Sequence, residues 1–283
     1  MSESCTHDCS SCGENCASRT AQQTPADLRV PQNEESNIRR VVAVVSGKGG
    51  VGKSMVTSLL AAASARAGLR TAALDADITG PSLPQAFGLK EKARGTEDSI
   101  FPVVSRTGIK VMSMNLLLPQ DTDPVIWRGP VLASMVTQFW QNVEWGDIDT
   151  MFVDMPPGTG DVPLTVFQSL PIDGIVVVTS PQQLAGMIVE KAIKMAGMMD
   201  IPVLALVENM SFFKCPNCGK THDLFGNGKL EGLAARYCVE TLCRLPVRPE
   251  IAAAADRGDI ESIQEEELTP VLDAIAKLKG RTV

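Results

Sequence analysis

An α/β fold with a mainly parallel, doubly wound sheet is predicted by three observations. Apolar runs recur along the chain: VVAVVS at 41–46, TAALDAD at 71–77, TMFVDMP at 150–156, GIVVVTS at 174–180, PVLALVEN at 202–209 and TLCRLPV at 241–247. Their near-continuous hydrophobicity is what strands covered on both faces require. Helix-length segments separate them, at about 53–67, 129–142, 162–170, 184–199 and 228–238, with two more near 250–257 and 265–279. Such alternation implies right-handed crossovers and a single sheet in one domain. The third observation is a glycine-rich loop, GKGGVGKS at 47–54, set between the first apolar run and the first helix.

Residues 1–38 stand apart from this pattern. They carry four of the eight cysteines, no aromatic residue, and only Leu28, Val30 and Ile38 as branched aliphatics. So little apolar surface does not offset the entropy of ordering a chain, so a flexible tail is expected, with 17–37 as a polar linker and the folded domain over 39–283. Within that domain GIKVMSM at 108–114 reads as an extra strand inside a longer excursion.

Aromatic residues make up only 4% of the chain, so the core has to come from Ala, Val, Leu, Ile and Met. A net charge of −7 argues against nonspecific nucleic-acid binding and against docking on an anionic membrane. No apolar run approaches the ~20 residues that span a bilayer, and the N-terminus lacks a basic-then-apolar leader pattern. A cytoplasmic protein is expected, and there eight cysteines point to metal or redox chemistry rather than disulfides.

GKGGVGKS satisfies the phosphate-loop pattern G-x-x-x-x-G-K-[ST] in its proper setting, after a strand and before a helix. Gly47, Gly49, Gly50 and Gly52 allow successive N–H groups to turn toward phosphate oxygens. The helix adds its positive end, Lys53 neutralises the β- and γ-phosphates, and Ser54 completes a Mg²⁺ shell. With Val51 and Met55 these residues make up the expected nucleotide-binding stretch. Phosphoryl transfer also needs carboxylates at the C-terminal ends of parallel strands. Asp75 and Asp77 close the second run and Asp154 the third. Asp161 reads as a helix N-cap. Asn209 ends the fifth run, and its amide has both the donor and the acceptor that an adenine edge needs.

Lys48 makes the loop the deviant form, KGGVGKS, which resembles the MinD/ParA/nitrogenase-iron-protein class of P-loop ATPases. That resemblance implies a nucleotide-dependent homodimer in which Lys48 reaches the partner's nucleotide. It further implies that Asp75 organises Mg²⁺, that Asp77 orients the attacking water, and that Asp154 is the Walker-B carboxylate. Gly158 would open the second switch with its N–H near the γ-phosphate. Asn209 would read adenine, flanked by Pro246 and Val247.

Several further segments narrow the resemblance. DADITGPSLP, VIWRGP at 125–130, WGDIDTMFVDMPPGTGDVPLT at 145–165, ENMS at 208–211 and CPNCG are together similar to the Mrp/ApbC (Nbp-like) iron–sulfur carrier ATPases. The family implies ATP hydrolysis coupled to assembly or transfer of a [4Fe–4S] cluster, received from cluster donors and passed to apo-proteins. In it, the C-x-x-C pair holds the cluster across the homodimer. Here that pair is Cys215 and Cys218. The residues themselves also allow a zinc knuckle or a redox dithiol. Backbone N–H groups of Asn217, Cys218 and Gly219 are placed to bond thiolates. His222 reads as a solvated loop residue, and Cys238 and Cys243 as buried small hydrophobes. Cys5, Cys9, Cys12 and Cys16 form C-x3-C-x2-C-x3-C, suited to a second iron–sulfur cluster or to zinc. The rival function is a MinD- or ParA-like positioning ATPase with a structural zinc site. The absence of a basic or aromatic apolar face in LTPVLDAIAKLKGRTV argues against membrane docking.

Overall fold

The computed structural model describes residues 29–96, 98–120, 129–181, 185–226 and 230–281; the four tail cysteines lie outside them. In chain order the strands are β1 (Ser36–Ile38), β2 (Val41–Ser46), β3 (Thr71–Asp75), β4 (Arg94–Gly95), β5 (Ile100–Phe101), β6 (Val103–Val104), β7 (Lys110–Met112), β8 (Gly146–Ile148), β9 (Thr150–Asp154), β10 (Gly174–Thr179), β11 (Val203–Lys214), β12 (Thr221–His222) and β13 (Leu242–Pro246). The helices are α1 (Lys53–Arg66), α2 (Leu83–Ala86), α3 (Gly129–Asn142), α4 (Asp161–Ser169), α5 (Ala185–Met198), α6 (Leu230–Arg236), α7 (Pro249–Asp256) and α8 (Thr269–Ala276).

The main sheet runs β13–β11–β10–β2–β9–β3–β7–β6, parallel except for edge strand β6, with β12 antiparallel to the far end of β11. From β2 the chain winds outward through β3 and β7, returns at β9, then crosses to β10, β11 and β13 on the other side. That is the doubly wound topology the apolar runs predicted. It opens a crevice at the C-terminal ends of the central strands, where the winding reverses.

Strand periodicity of two divides the core into two layers. Val41, Ala43 and Val45 of β2 face one side, with α3, α4, α5 and α6, while Val42 and Val44 face α1, α2, α7 and α8. The same alternation splits Met151 and Val153 from Phe152, and Ile175 and Val177 from Val176 and Val178. Helix α1 buries Ser58, Ala61, Ala62 and Ser64 along with its aliphatics, so small residues let it lie close against the sheet.

Three departures from the sequence reading have identifiable causes. Part of the stretch read as linker is docked. Ser36–Ile38 pairs in parallel with Gly146–Ile148, the Val30 N–H donates to the Ser169 carbonyl (3.0 Å), and Trp140 Nε1 donates to the Val30 carbonyl (3.2 Å). Backbone pairing and two buried tryptophans, Trp140 and Trp145, anchor a segment too poor in apolar side chains to signal itself. At the other end, the span 265–279 is a 3₁₀ turn (Glu266–Leu268) followed by α8, because Pro270 in the first turn has no N–H to continue an earlier helix. Finally, β11 runs twelve residues, five beyond the predicted end at 209.

Candidate nucleotide site and cysteine turn

The loop 47–52 leaves β2 and enters α1 with Gly50 at φ +79° and Gly52 at φ +84°, dihedrals that side chains rarely adopt. Gly47 has a different constraint. A Cβ there would sit 1.8 Å from Cγ2 of Ile188, so α5 closes directly over the loop. Lys53 is 6% exposed and its Nζ lies 2.7 Å from Asp154 Oδ1. The Ser54 hydroxyl donates to Asp154 Oδ2 (2.5 Å), and Thr57, one helical turn past Lys53, donates to Asp154 Oδ1 (2.8 Å). The Lys48 carbonyl accepts from Ser46 Oγ (3.0 Å).

Asp75 and Asp154 are directly opposed in the β3–β9 register, both fully buried. Asp75 accepts N–H bonds from Asp77 (3.2 Å), Ser82 (3.1 Å) and Leu83 (3.3 Å), and a hydroxyl bond from Ser113 (3.2 Å). Burial, aided by the Asp154 charge and only partly offset by Lys53, pushes the Asp75 carboxyl up to about 8. Asp77 lies past the strand end in a turn, half-buried, where it accepts from Thr79 Oγ1 (3.2 Å); burial pushes its carboxyl up too. Asp75, Asp77 and Asp154 bring more carboxyl groups near the crevice than the Lys53 ammonium offsets. A divalent cation fits that donor set, with Ser54, Asp75 and Asp154 to hold it directly or through water.

Asn209 is 2% exposed; its Nδ2 donates to the Val51 carbonyl (2.9 Å), while its Oδ1 is buried without a partner. An orphaned acceptor beside a phosphate loop suits an exocyclic amine of a purine. Pro246 stands opposite Phe212 in the β11–β13 register, and the Val247 N–H donates to the Phe212 carbonyl (2.7 Å), so both flank the strand just past Asn209. The structure therefore gathers Lys53, Ser54, Asp75, Asp77, Asp154 and Asn209 at one end of the sheet. The Gly158 N–H donates to the Ser46 carbonyl (2.8 Å). Asp161 is not the N-cap. Gly160 holds that position, and Asp161 sits in the first turn, where it still faces the helix's positive end.

Thr57, Ser82 and Ser113 escaped sequence reasoning. Thr57 was legible in principle, lying four residues after Lys53 on the same helix face. Ser113 was not, because its role depends on β7 lying beside β3.

Strand β11 continues past Asn209 to the cysteine turn. Its last residues, Phe213 and Lys214, pair with His222 and Thr221 of β12. Between them the turn is closed by the Cys215 N–H on the Lys220 carbonyl (2.9 Å) and the Gly219 N–H on the Cys215 carbonyl (2.8 Å). Gly219 thus serves the backbone rather than a thiolate. The N–H groups of Cys218 and Asn217 do point at the Cys215 sulfur and hold its thiol below the ordinary range. Cys215 is half-exposed and Cys218 exposed. Among the described residues no three His, Cys, Asp or Glu side chains converge to hold a metal, so His222 does not complete the pair. Cys243 is buried as expected, its thiol pushed up to about 12 by desolvation, but Cys238 is exposed at a helix end with φ +53°.

Comparisons with known proteins agree with this geometry. Residues 37–280 match the model of the ParA family described as NUBPL iron-transfer P-loop NTPase. The iron-sulfur cluster carrier protein of Methanocaldococcus jannaschii is 44% identical over 234 residues, covering 82% of this chain and 80% of that one. Its counterpart in Saccharolobus solfataricus is 44% identical over 241 residues, 84% of this chain and 81% of that one. A nucleotide-binding protein from Archaeoglobus fulgidus, solved with ADP and with cobalt, superposes with a TM-score of 0.74 at 43% identity, covering 82% of this chain and 91% of the other. MinD of Aquifex aeolicus, at 19% identity and a TM-score of 0.59, shares the fold. The phosphate loop, the opposed strand-end carboxylates and the matched span of residues 37–280 together make this chain a P-loop NTPase of the iron–sulfur cluster carrier family.

Proposed function

We propose that this chain binds and hydrolyses ATP and carries a [4Fe–4S] cluster, bridged across a homodimer by Cys215 and Cys218 from each subunit. One observation carries the reading. Asn209, with its orphaned acceptor beside the phosphate loop, lies on β11, and the cysteine turn directly follows that strand, with a half-exposed Cys215 and an exposed Cys218 that find no further ligands among the described residues. A [4Fe–4S] cluster takes four thiolates. A two-fold axis doubles whatever one subunit offers, so two copies of the pair supply the set.

In this reading the loop amides of residues 47–52 and Lys53 hold the phosphates, and Asn209 reads the base between Pro246 and Val247. Asp75, Asp154 and Ser54 hold Mg²⁺, which supplies charge neutralisation on the transferring phosphoryl group. Asp77 orients the attacking water, and Lys48 adds positive charge at the partner's nucleotide. The cluster is cargo, taken from cluster donors and released to apo iron–sulfur proteins. The tail cysteines Cys5, Cys9, Cys12 and Cys16 hold a second cluster or zinc. Among the described residues no helix is long and apolar enough to cross a membrane, in keeping with a cytoplasmic carrier.

Anaerobic reconstitution with iron and sulfide tests this. Wild type should hold about four irons per dimer beyond those retained by Cys215→Ser/Cys218→Ser, since four thiolates ligate one cluster. A double variant that keeps all its iron and still loads an apo-protein sinks the shared site. Zinc bound at the pair in place of iron sinks the cluster.

A further inference from the structure

Strand β11 is irregular at one place. Met210, between Asn209 and Ser211, has φ +56°, and pairing with β13 slips there: Glu208 faces Arg244, but Phe212 faces Pro246. Four steps along β11 thus match two along β13, so residues 209–211 bulge out of the ladder. A left-handed methionine is uncommon and persists only where its surroundings hold it.

What holds it is Arg244. Its Nε donates to Ser211 Oγ (2.6 Å) and lies 3.4 Å from Glu208 Oε2, while the Ser211 hydroxyl donates to the same carboxylate. The Glu208 side chain is 3% exposed, so this is a buried charge compensated by one guanidinium. The other end of that guanidinium reaches outward, where Nη2 donates to Asp223 Oδ1 (3.3 Å). Asp223 directly follows β12, the strand that closes the cysteine turn. Arg244 therefore spans the bulge that carries Asn209 and the base of the hairpin that carries Cys215 and Cys218.

We propose that Arg244 is a positioning residue that couples ligand occupancy at Asn209 to the order of the Cys215–Cys218 turn. A ligand donating to Asn209 Oδ1 pulls on a backbone segment that is already out of register. Glu208 is fixed by burial, so the movement falls on Ser211 and on the Arg244 Nε that it holds. The planar fork of the guanidinium carries the rotation to Nη2, and with it the reach to Asp223. The inference rests on the nucleotide-and-cluster reading above.

Hydrogen exchange of residues 213–223 in the full chain, freed of iron, reads the coupling with and without Mg²⁺-ADP. In wild type, ADP should slow exchange in this segment by about fivefold, the lower end of ordinary coupling between sites. Arg244→Gln and Asp223→Asn should bind ADP within about twofold of wild type, far less than that coupling, yet lose most of the slowing. A role confined to folding would change basal exchange and leave the ADP effect in place. Should Arg244→Gln fail to fold, Asp223→Asn decides alone, because its carboxylate is 40% exposed. Full slowing in Asp223→Asn, or no ADP effect in wild type, overturns the proposal. Exchange needs no cluster, so failed cluster reconstitution would sink the carrier reading while leaving this result standing.

Discussion

The nucleotide crevice and the cysteine turn share β11 but are built by opposite rules. In the crevice the buried charged side chains are fixed before any ligand arrives: Lys53 is 6% exposed, Asp75 and Asp154 are fully buried, and each has named partners. At the turn, a half-exposed and an exposed thiol have the Cys218 and Asn217 N–H groups and each other for company. A site that stabilises a transition state gains from such preorganisation. A site that releases its cargo, the role proposed for the turn, would gain from being open and from leaving ligands for a second body to supply. The same chain builds the first from strand ends and the second from a hairpin beyond the sheet.

The contrast breaks most severely at Lys53. Lys53→Ala removes the cation paired with the fully buried Asp154, a loss on the order of 3 kcal/mol, and also the expected phosphate anchor. Denaturant midpoints and ATP binding should both fall, while the Cys215/Cys218 pair keeps its metal affinity. Unchanged stability would show that Asp154 is solvated after all.

Asp75→Asn sharpens the contrast through pH. The folded carboxyl, held at about 8, sits far above its unfolded value, so the folded chain binds the extra proton. That contribution is fully present below about pH 4, the ordinary carboxylate range, and is lost as pH rises through 8. Without nucleotide or Mg²⁺, wild-type stability should decline across that window and the variant should decline less. Parallel profiles for the two proteins would refute it.

The smallest effect belongs to the turn. Gly219 has φ +69° with nothing within 4 Å of its Cβ position, so Gly219→Ala meets only the left-handed backbone cost of about 1–2 kcal/mol. Metal affinity at Cys215/Cys218 should weaken about tenfold, as that cost implies, with ATP turnover untouched. A matching loss of turnover would mean the turn and crevice are less separable than their construction indicates.

The crevice was largely legible because its residues announce themselves by spacing along single elements. GKGGVGKS, the strand-end positions of Asp75 and Asp154, and Asn209 at the end of an apolar run all follow from local pattern. What escaped depends on which strands become neighbours. Ser113 reaches Asp75 only because β7 adjoins β3, and Arg244 meets Glu208 only because β13 adjoins β11. The docked segment Ser36–Ile38 escaped for another reason: it pairs main chain to main chain with Gly146–Ile148, and Ile38 is its one apolar side chain. The length of β11 escaped because FFK follows a turn-like ENMS, and the bulge at Met210 lets the strand resume.

One consequence of the opposed carboxylates reaches beyond chemistry. Because Asp75 and Asp154 face each other across adjacent strands, Mg²⁺ and nucleotide held there, as in the function proposed above, would act as a fastener for the central sheet. Ligand that binds only the folded form raises the folded fraction by mass action. Chains deprived of it open more often and meet proteases more often. The lifetime of each molecule in the cell should therefore track energy supply, so that a population of carriers thins itself out under starvation without a dedicated degradation signal.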